Sequence, residues 1–214
     1  MSPWKKYLSY LLPMRVAEFR SSYSGILELS WEKGKLVLNS SRANYSHNHL
    51  HQVLKGAMKK AGIRQKRVNR VLNLGLGAGS SIHILRDEWG KDPFIRSVEI
   101  DPLIIDIADK YFDVDEDGKH EIIHADALTF LEKDRDSYDL YLIDLFIDDQ
   151  VNTAVLEAEF IQDLLKKALS GAHILLNTMV GPHTEGFKAD LGKAGIAYET
   201  YRSRGNEVFI FKGK

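Results

Sequence analysis

The sequence predicts a doubly wound α/β fold: a mostly parallel seven-stranded sheet with an antiparallel C-terminal strand, preceded by a small N-terminal β-hairpin and helix. Three observations carry this. Between residues 70 and 178, short apolar runs alternate with segments of helical periodicity, the pattern of parallel strands joined by crossover helices. The first run, Val71-Leu72-Asn73-Leu74, passes directly into Gly75-Leu76-Gly77-Ala78-Gly79, a turn that lets a strand fold sharply into a helix. Near the end, Ile196 to Arg202 and Glu207 to Phe211 are separated only by Ser203-Arg204-Gly205-Asn206. So short a link forces an antiparallel pair.

Each element has its own reason. Met1 to Met14 carries Lys5 and Lys6 before a short apolar stretch, but Pro13, Arg15 and Glu18 stand where a signal peptide has small residues; it is expected to be a helix or arm. Gly25 to Ser40 alternates around Glu32-Lys33-Gly34-Lys35, a hairpin with a glycine turn. From Ser46 to Ala61, the apolar residues Leu50, Val53, Leu54, Ala57 and Met58 recur at helical spacing, with Gly62 at the stop.

In the main region, strands are expected at Arg70 to Leu74, Phe94 to Ile100, Glu121 to His124, Tyr138 to Phe146 and Ala172 to Thr178. Helices are expected at Ser80 to Trp89, Pro102 to Phe112, Ala127 to Lys133, Val155 to Leu169 and Glu185 to Ala194. Asp101 and Pro102 suit the N-cap and first helical position. The expected division is residues 1–62 for arm, hairpin and helix, and 63–214 for a ligand-binding Rossmann-like domain.

Composition narrows the function. With 214 residues and 44% hydrophobic content, the chain can bury a core but not build two large domains. Its 29 basic and 30 acidic residues leave a net charge of −1, so no global field draws it to nucleic acid or an anionic membrane. No apolar run approaches the ~20 residues of a membrane-spanning helix. The absence of cysteine removes disulfides, thiolate metal sites and cysteine nucleophiles. The cytoplasm is the expected compartment.

The chemistry concentrates at one sheet edge. Glu99 falls 24 residues past Gly75 at the end of the second predicted strand of the main domain, where a carboxylate can accept from both hydroxyls of a ribose. Gly77 and Gly79 depart from the spacing of dinucleotide binders, which favours a single nucleoside over NAD. Asp126 and Asp144 stand where later strands end, the side on which open α/β sheets bind ligands.

These residues carry a family resemblance. From Val71 to Met179 the chain resembles the class I S-adenosylmethionine-dependent methyltransferase fold, and within it the spermidine-synthase-like branch. The matching runs are Gly75 to Gly79, Val98-Glu99-Ile100-Asp101-Pro102, His124-Ala125-Asp126-Ala127 and Tyr138 to Asp144. The resemblance implies that Gly75, Gly77, Ala78 and Gly79 cradle the sulfonium nucleoside. It implies that Glu99 and Ile100 lie at the ribose, that Asp126 and Ala127 lie at the adenine, and that Asp144 is both a contact and the catalytic aspartate. A base there suits an amine acceptor, because an ammonium has no lone pair for attack.

The departures from that branch are equally specific. Polyamine synthases carry an aspartate at the position of Ala78, which anchors the amine of the aminopropyl chain. Their second acid after the catalytic aspartate is replaced by Phe146-Ile147-Asp148-Asp149-Gln150, shifted by one. Their Tyr-His-Glu stretch is loosely echoed by Tyr45-Ser46-His47-Asn48-His49, so Tyr45, Asp148 and Asp149 are the substrate-side candidates.

Two other patterns invite metal. Asp113-Val114-Asp115-Glu116-Asp117-Gly118 copies the start of a calcium loop but ends on His124 instead of glutamate. His47, His49 and His51 also invite it, His47 and His51 sharing one helical face, but no acidic or cysteine partner sits beside them. A solvated acidic loop and a polar helix start are the expected readings, as is a solvated surface for the basic run Arg64 to Arg70.

The expected function is transfer from S-adenosylmethionine, methyl transfer to a small-molecule acceptor being favoured by Ala78. The alternatives are an aminopropyltransferase using decarboxylated S-adenosylmethionine on a diamine, and a non-catalytic nucleoside-binding protein. The expected partners are a small-molecule acceptor, with an amine among the candidates, and a second copy of the chain. Neither nucleic acid nor a membrane is expected.

Overall fold

A computed structural model describes residues 3–40, 49–114, 117–147 and 150–214. The chain opens with a short helix, α1 (Pro3–Leu8), and a three-stranded antiparallel sheet of β1 (Met14–Ser21), β2 (Gly25–Glu32) and β3 (Lys35–Ser40). The expected hairpin is β2 and β3. Its turn, Lys33-Gly34, has both φ angles positive at 50° and 76°, the mirror-image turn that matches strand twist. The sequence reading missed β1. Its alternation of Val16 and Phe19 with charged residues is broken by a bulge between Arg15 and Ala17, which puts the two halves out of phase.

Helix α2 (His49–Lys60) follows, and then the large sheet. Its parallel strands are β4 (Arg70–Leu74), β5 (Phe94–Glu99), β6 (His120–His124) and β7 (Leu140–Ile143). The expected strand from Tyr138 to Phe146 is thus cut to four residues. Past Asp144 the chain leaves the sheet for a small ribbon, β8 (Phe146–Ile147) and β9 (Gln150–Val151). Strands β10 (His173–Met179), β11 (Glu199–Ser203) and β12 (Asn206–Lys212) complete a sheet of order β11-β12-β10-β7-β4-β5-β6. Only β12 pairs antiparallel to β10, and β11 to β12.

Period-two alternation divides the core. Val71, Leu140, Leu142 and Leu175 face one cluster; Leu72, Leu74, Tyr141, Ile143 and Leu176 face the other. The first face is covered by α2, by α3 (Ser80–His83), whose coil continues through a π-helical turn at Ile84–Glu88, and by α4 (Pro102–Phe112). Leu27, Leu29, Leu36 and Leu38 of the N-terminal sheet join this cluster at 8% exposure or less. The second face is covered by α5 (Ala127–Lys133), α6 (Ala158–Lys167) and α7 (Pro182–Lys193). Helix α6 starts later than expected because Thr153–Val155 form a separate 3₁₀ turn capped by Asn152.

Away from the ligand edge, Arg96 on β5 ties several elements together. Its guanidinium meets Glu121, Asp134, Asp136 and the Tyr138 hydroxyl. Burial opposes the charge, but these partners outweigh it and hold the guanidinium firmly protonated.

Candidate functional site

The order of the sheet fixes where a site can form. After β4 the chain turns to β5 and β6 on one side, then returns to place β7 on the other. The crevice outside the C-terminal ends of β4 and β7 is the switch point of the fold. Two backbone hydrogen bonds stitch it: Asp144 N donates to Leu74 O, and Gly75 N to Val98 O, each 2.9 Å.

Gly75 must be glycine here. Its φ is +88°, and an added Cβ would lie 2.2 Å from the Asp144 carbonyl oxygen. Gly77 and Gly79 also have positive φ, 53° and 74°. A Cβ on Gly79, the N-cap of α3, would lie 2.3 Å from Val114 Cγ2. Ala78 is only 1% exposed and belongs to the apolar cluster beneath the loop.

Glu99 fastens this loop. One carboxylate oxygen accepts from Leu76 N at 3.0 Å and Gly77 N at 3.4 Å; the other accepts from Ile100 N at 2.9 Å and Asp101 N at 3.0 Å. The residue is 8% exposed, and burial pushes its carboxyl up against the opposing backbone donors of Asp101, Gly77 and Leu76. Behind the loop runs a buried polar string that sequence reasoning missed. Ser81 donates to Asn73, whose amide donates to Gly75 O and reaches Ser97, which in turn meets His120. Asn73 interrupts an apolar strand, and that was the available signal.

Asp144 stands at the end of β7 with Oδ1 accepting from Asn177 Nδ2 at 2.7 Å. Burial pushes its carboxyl up to about 6, Asn177 opposes that rise, and the charge of Glu99 adds to it. Asn177 was not foreseen: like Asn73 it interrupts an apolar strand, but its partner Asp144 lies 33 residues away on another strand. Asp126 sits farther along the edge as the N-cap of α5, accepting from Thr129 N at 2.8 Å, with Ala127 buried behind it. The hydroxyl of Ser80, where the loop becomes helix, is buried without a hydrogen-bond partner.

The structure therefore brings Gly75 to Gly79, Glu99, Ile100 and Asp144 to one crevice edge, with Asp126 at the next strand. Tyr45, Asp148 and Asp149, like His47, lie outside the described residues. His51 has an acidic partner after all: Glu88 of the π-helical turn, 2.7 Å from Nε2 and distant in sequence. Asp117, from the loop resembling a calcium site, pairs with Arg86 at 2.8 Å. Arg64, Lys66 and Arg67 are exposed, as expected of a solvated surface. No described helix is long and apolar enough to cross a membrane.

Comparison with solved structures places this arrangement. The fold overlays a probable spermidine synthase from Corynebacterium glutamicum with a TM-score of 0.75 at 15% identity, covering 92% of this chain and 80% of that one. It overlays human methyltransferase-like protein 13 in complex with SAH with a TM-score of 0.65 at 21% identity, covering 78% and 83%. This is the class I methyltransferase fold. Among curated proteins, the methyltransferase-fold segment here is 35% identical over 101 residues to a polyamine aminopropyltransferase of Chromobacterium violaceum. That match takes in 47% of this chain and 38% of the relative's length. No protein-family model matches the chain.

Proposed function

We propose that the chain is an S-adenosylmethionine-dependent transferase that moves a methyl group to a small-molecule acceptor. The observation that carries this is the pairing of a glycine loop fastened by a buried Glu99 with an apolar, 1% exposed Ala78. The loop, held in shape by Glu99, suits the nucleoside, while position 78 offers no acid for the amine of an aminopropyl chain. Ser80, with its buried and unpartnered hydroxyl, fits a ligand bearing a polar group at the end of that loop.

When bound, the sulfonium supplies an electrophilic methyl carbon and leaves as a neutral thioether. The chain's own contribution is alignment and proton handling. Displacement at carbon needs the acceptor's lone pair in line with the breaking C–S bond, and a rigid loop gives that alignment much of its value. Asp144, with a carboxyl near 6, is ionised at neutral pH and is basic enough to take the proton that the acceptor releases.

A second reading, aminopropyl transfer to a diamine from decarboxylated S-adenosylmethionine, is favoured by the 35% identity to a polyamine aminopropyltransferase. Calorimetric titration with S-adenosylmethionine, its decarboxylated form and methylthioadenosine separates the two. Methyl transfer predicts tightest binding of S-adenosylmethionine. Preference for the decarboxylated form would establish the second reading, and no binding by any of them would leave a degenerate scaffold.

A further inference from the structure

The antiparallel strand β12 has a consequence at the crevice. Because it runs against β10, its first residue, Asn206, lies beside the last residue of β10, Met179. The tip of the β11–β12 hairpin is thereby carried to the same sheet edge as the glycine loop. A backbone bond from Val180 N to Gly205 O at 2.8 Å clasps that tip to the end of β10. Asn206 Nδ2 then donates to Asn177 Oδ1 at 3.2 Å, and Asn177 Nδ2 donates to Asp144 Oδ1 at 2.7 Å.

The direction of this chain of bonds is forced. An ionised carboxylate only accepts, so Asn177 must turn its NH₂ toward Asp144 and its oxygen away. The oxygen would be left bare in a residue that is 1% exposed; Asn206 fills it, and an amide with both ends engaged cannot flip without breaking two bonds. Among the described residues, the charge acting on Asp144 is that of Glu99, which disfavours ionisation. Asn177 is the group that counters it.

We propose that Asn177 is a positioning residue for Asp144, locked by Asn206 from the hairpin tip, so that Asp144 keeps one carboxylate oxygen engaged and presents the other, in a fixed direction, to the acceptor. This rests on the reading of Asp144 as the base of the transfer reaction. The relay assigns a function to the C-terminal hairpin that the sheet alone does not require. It also makes one acceptor-side group depend on a residue 29 positions away in sequence from its immediate neighbour.

The test is carboxyl ¹³C NMR titration of the full chain labelled at aspartate, with the Asp144 signal assigned through Asp144→Asn. In Asn177→Leu, which removes the donor, the acid constant of Asp144 falls about tenfold, moving its midpoint to higher pH. Asn177→Ser, whose shorter hydroxyl falls short of the amide's place beside Asp144, also moves the midpoint to higher pH, by less than Asn177→Leu. Asn206→Ala, at a partly exposed position, leaves Asn177 in place but unlocked and gives an intermediate shift. If Asn177→Leu does not fold, Asn177→Ser and Asn206→Ala carry the test. A midpoint the same in wild type and Asn206→Ala, and in Asn177→Leu where that folds, overturns the proposal. Calorimetry with S-adenosylmethionine is read separately: no binding alongside a responsive Asp144 sinks the transferase reading and leaves the relay standing.

Discussion

The hydroxyl of Ser21, the last residue of β1, donates to Asp101, the N-cap of α4. The same Ser21 oxygen accepts from Tyr23 N and Ser24 N at 2.9 Å, so the β1–β2 turn is organised around one side chain. Asp101 is 2% exposed and follows Glu99 by two residues. Its other oxygen accepts from Leu103 N. The N-terminal sheet is thus pinned to the rim of the crevice, and Phe19 packs edge-on against Tyr111 of α4 alongside it.

Removing this pin should loosen the rim without unfolding the chain. For Ser21→Ala we expect a loss of about 1–2 kcal/mol in denaturant unfolding, since a buried acceptor on Asp101 loses its donor. Amide exchange should speed up at residues 22–24 and leave β4 unaffected. Equal acceleration in both places would show that the contact is not local.

Gly75→Ala is expected to be the most damaging single-methyl change at the site. The added carbon meets the Asp144 backbone oxygen at 2.2 Å, and φ of +88° is strained for alanine. Together these cost on the order of 3 kcal/mol, or displace the loop by a comparable strain. Thermal unfolding measures the first outcome and loss of S-adenosylmethionine binding the second. Wild-type behaviour in both would mean that the crevice is wider than described.

Asp144 gives a pH signature of defined sign. Its carboxyl is raised from 3.8 in the free residue to about 6 in the fold, so the native state holds this proton more tightly than the unfolded chain does. Its contribution to stability is complete below pH 4 and lost as pH rises through 6. Asp144→Asn should therefore gain on wild type by about 1–3 kcal/mol between pH 4 and pH 7. Parallel stability curves for the two proteins across that window would refute this.

Glu99→Gln tests the fastening of the loop. A glutamine must turn its NH₂ toward one of the two pairs of backbone donors that the carboxylate now serves, leaving those N–H groups unpaired. We expect binding of S-adenosylmethionine to weaken by at least about tenfold, with a loss of about 1–3 kcal/mol in stability. Weaker binding with unchanged stability would mean that Glu99 serves the ligand and not the loop.

Local signals determined how much could be read in advance. Helix α4 begins and ends as foreseen, because Asp101-Pro102 is a start signal complete in itself and Asp113 adopts the left-handed turn that stops it. Helix α5 and strand β4 were equally legible. Strand β1 was not, since its bulge hides the alternation. At the site, the glycines, Glu99 and Asp144 announced themselves by position after strands. Asn177, Ser80 and the Asn73 string did not, because their importance lies in partners across the sheet. The acidic partner of His51 was hidden for the same reason: Glu88 is 37 residues away.

The place of β12 in the sheet also bears on how the chain matures during synthesis. Strand β10 emerges with β7 already available on one side, but its other neighbour is β12. Asn177 therefore waits 29 residues for Asn206, roughly 1.5–6 s at ordinary translation rates of ~5–20 residues per second. During that interval β10 is an open strand edge beside a buried polar residue, the kind of nascent surface that chaperones shield. The crevice is closed from its far side, late, by a hairpin arriving after every parallel strand is in place.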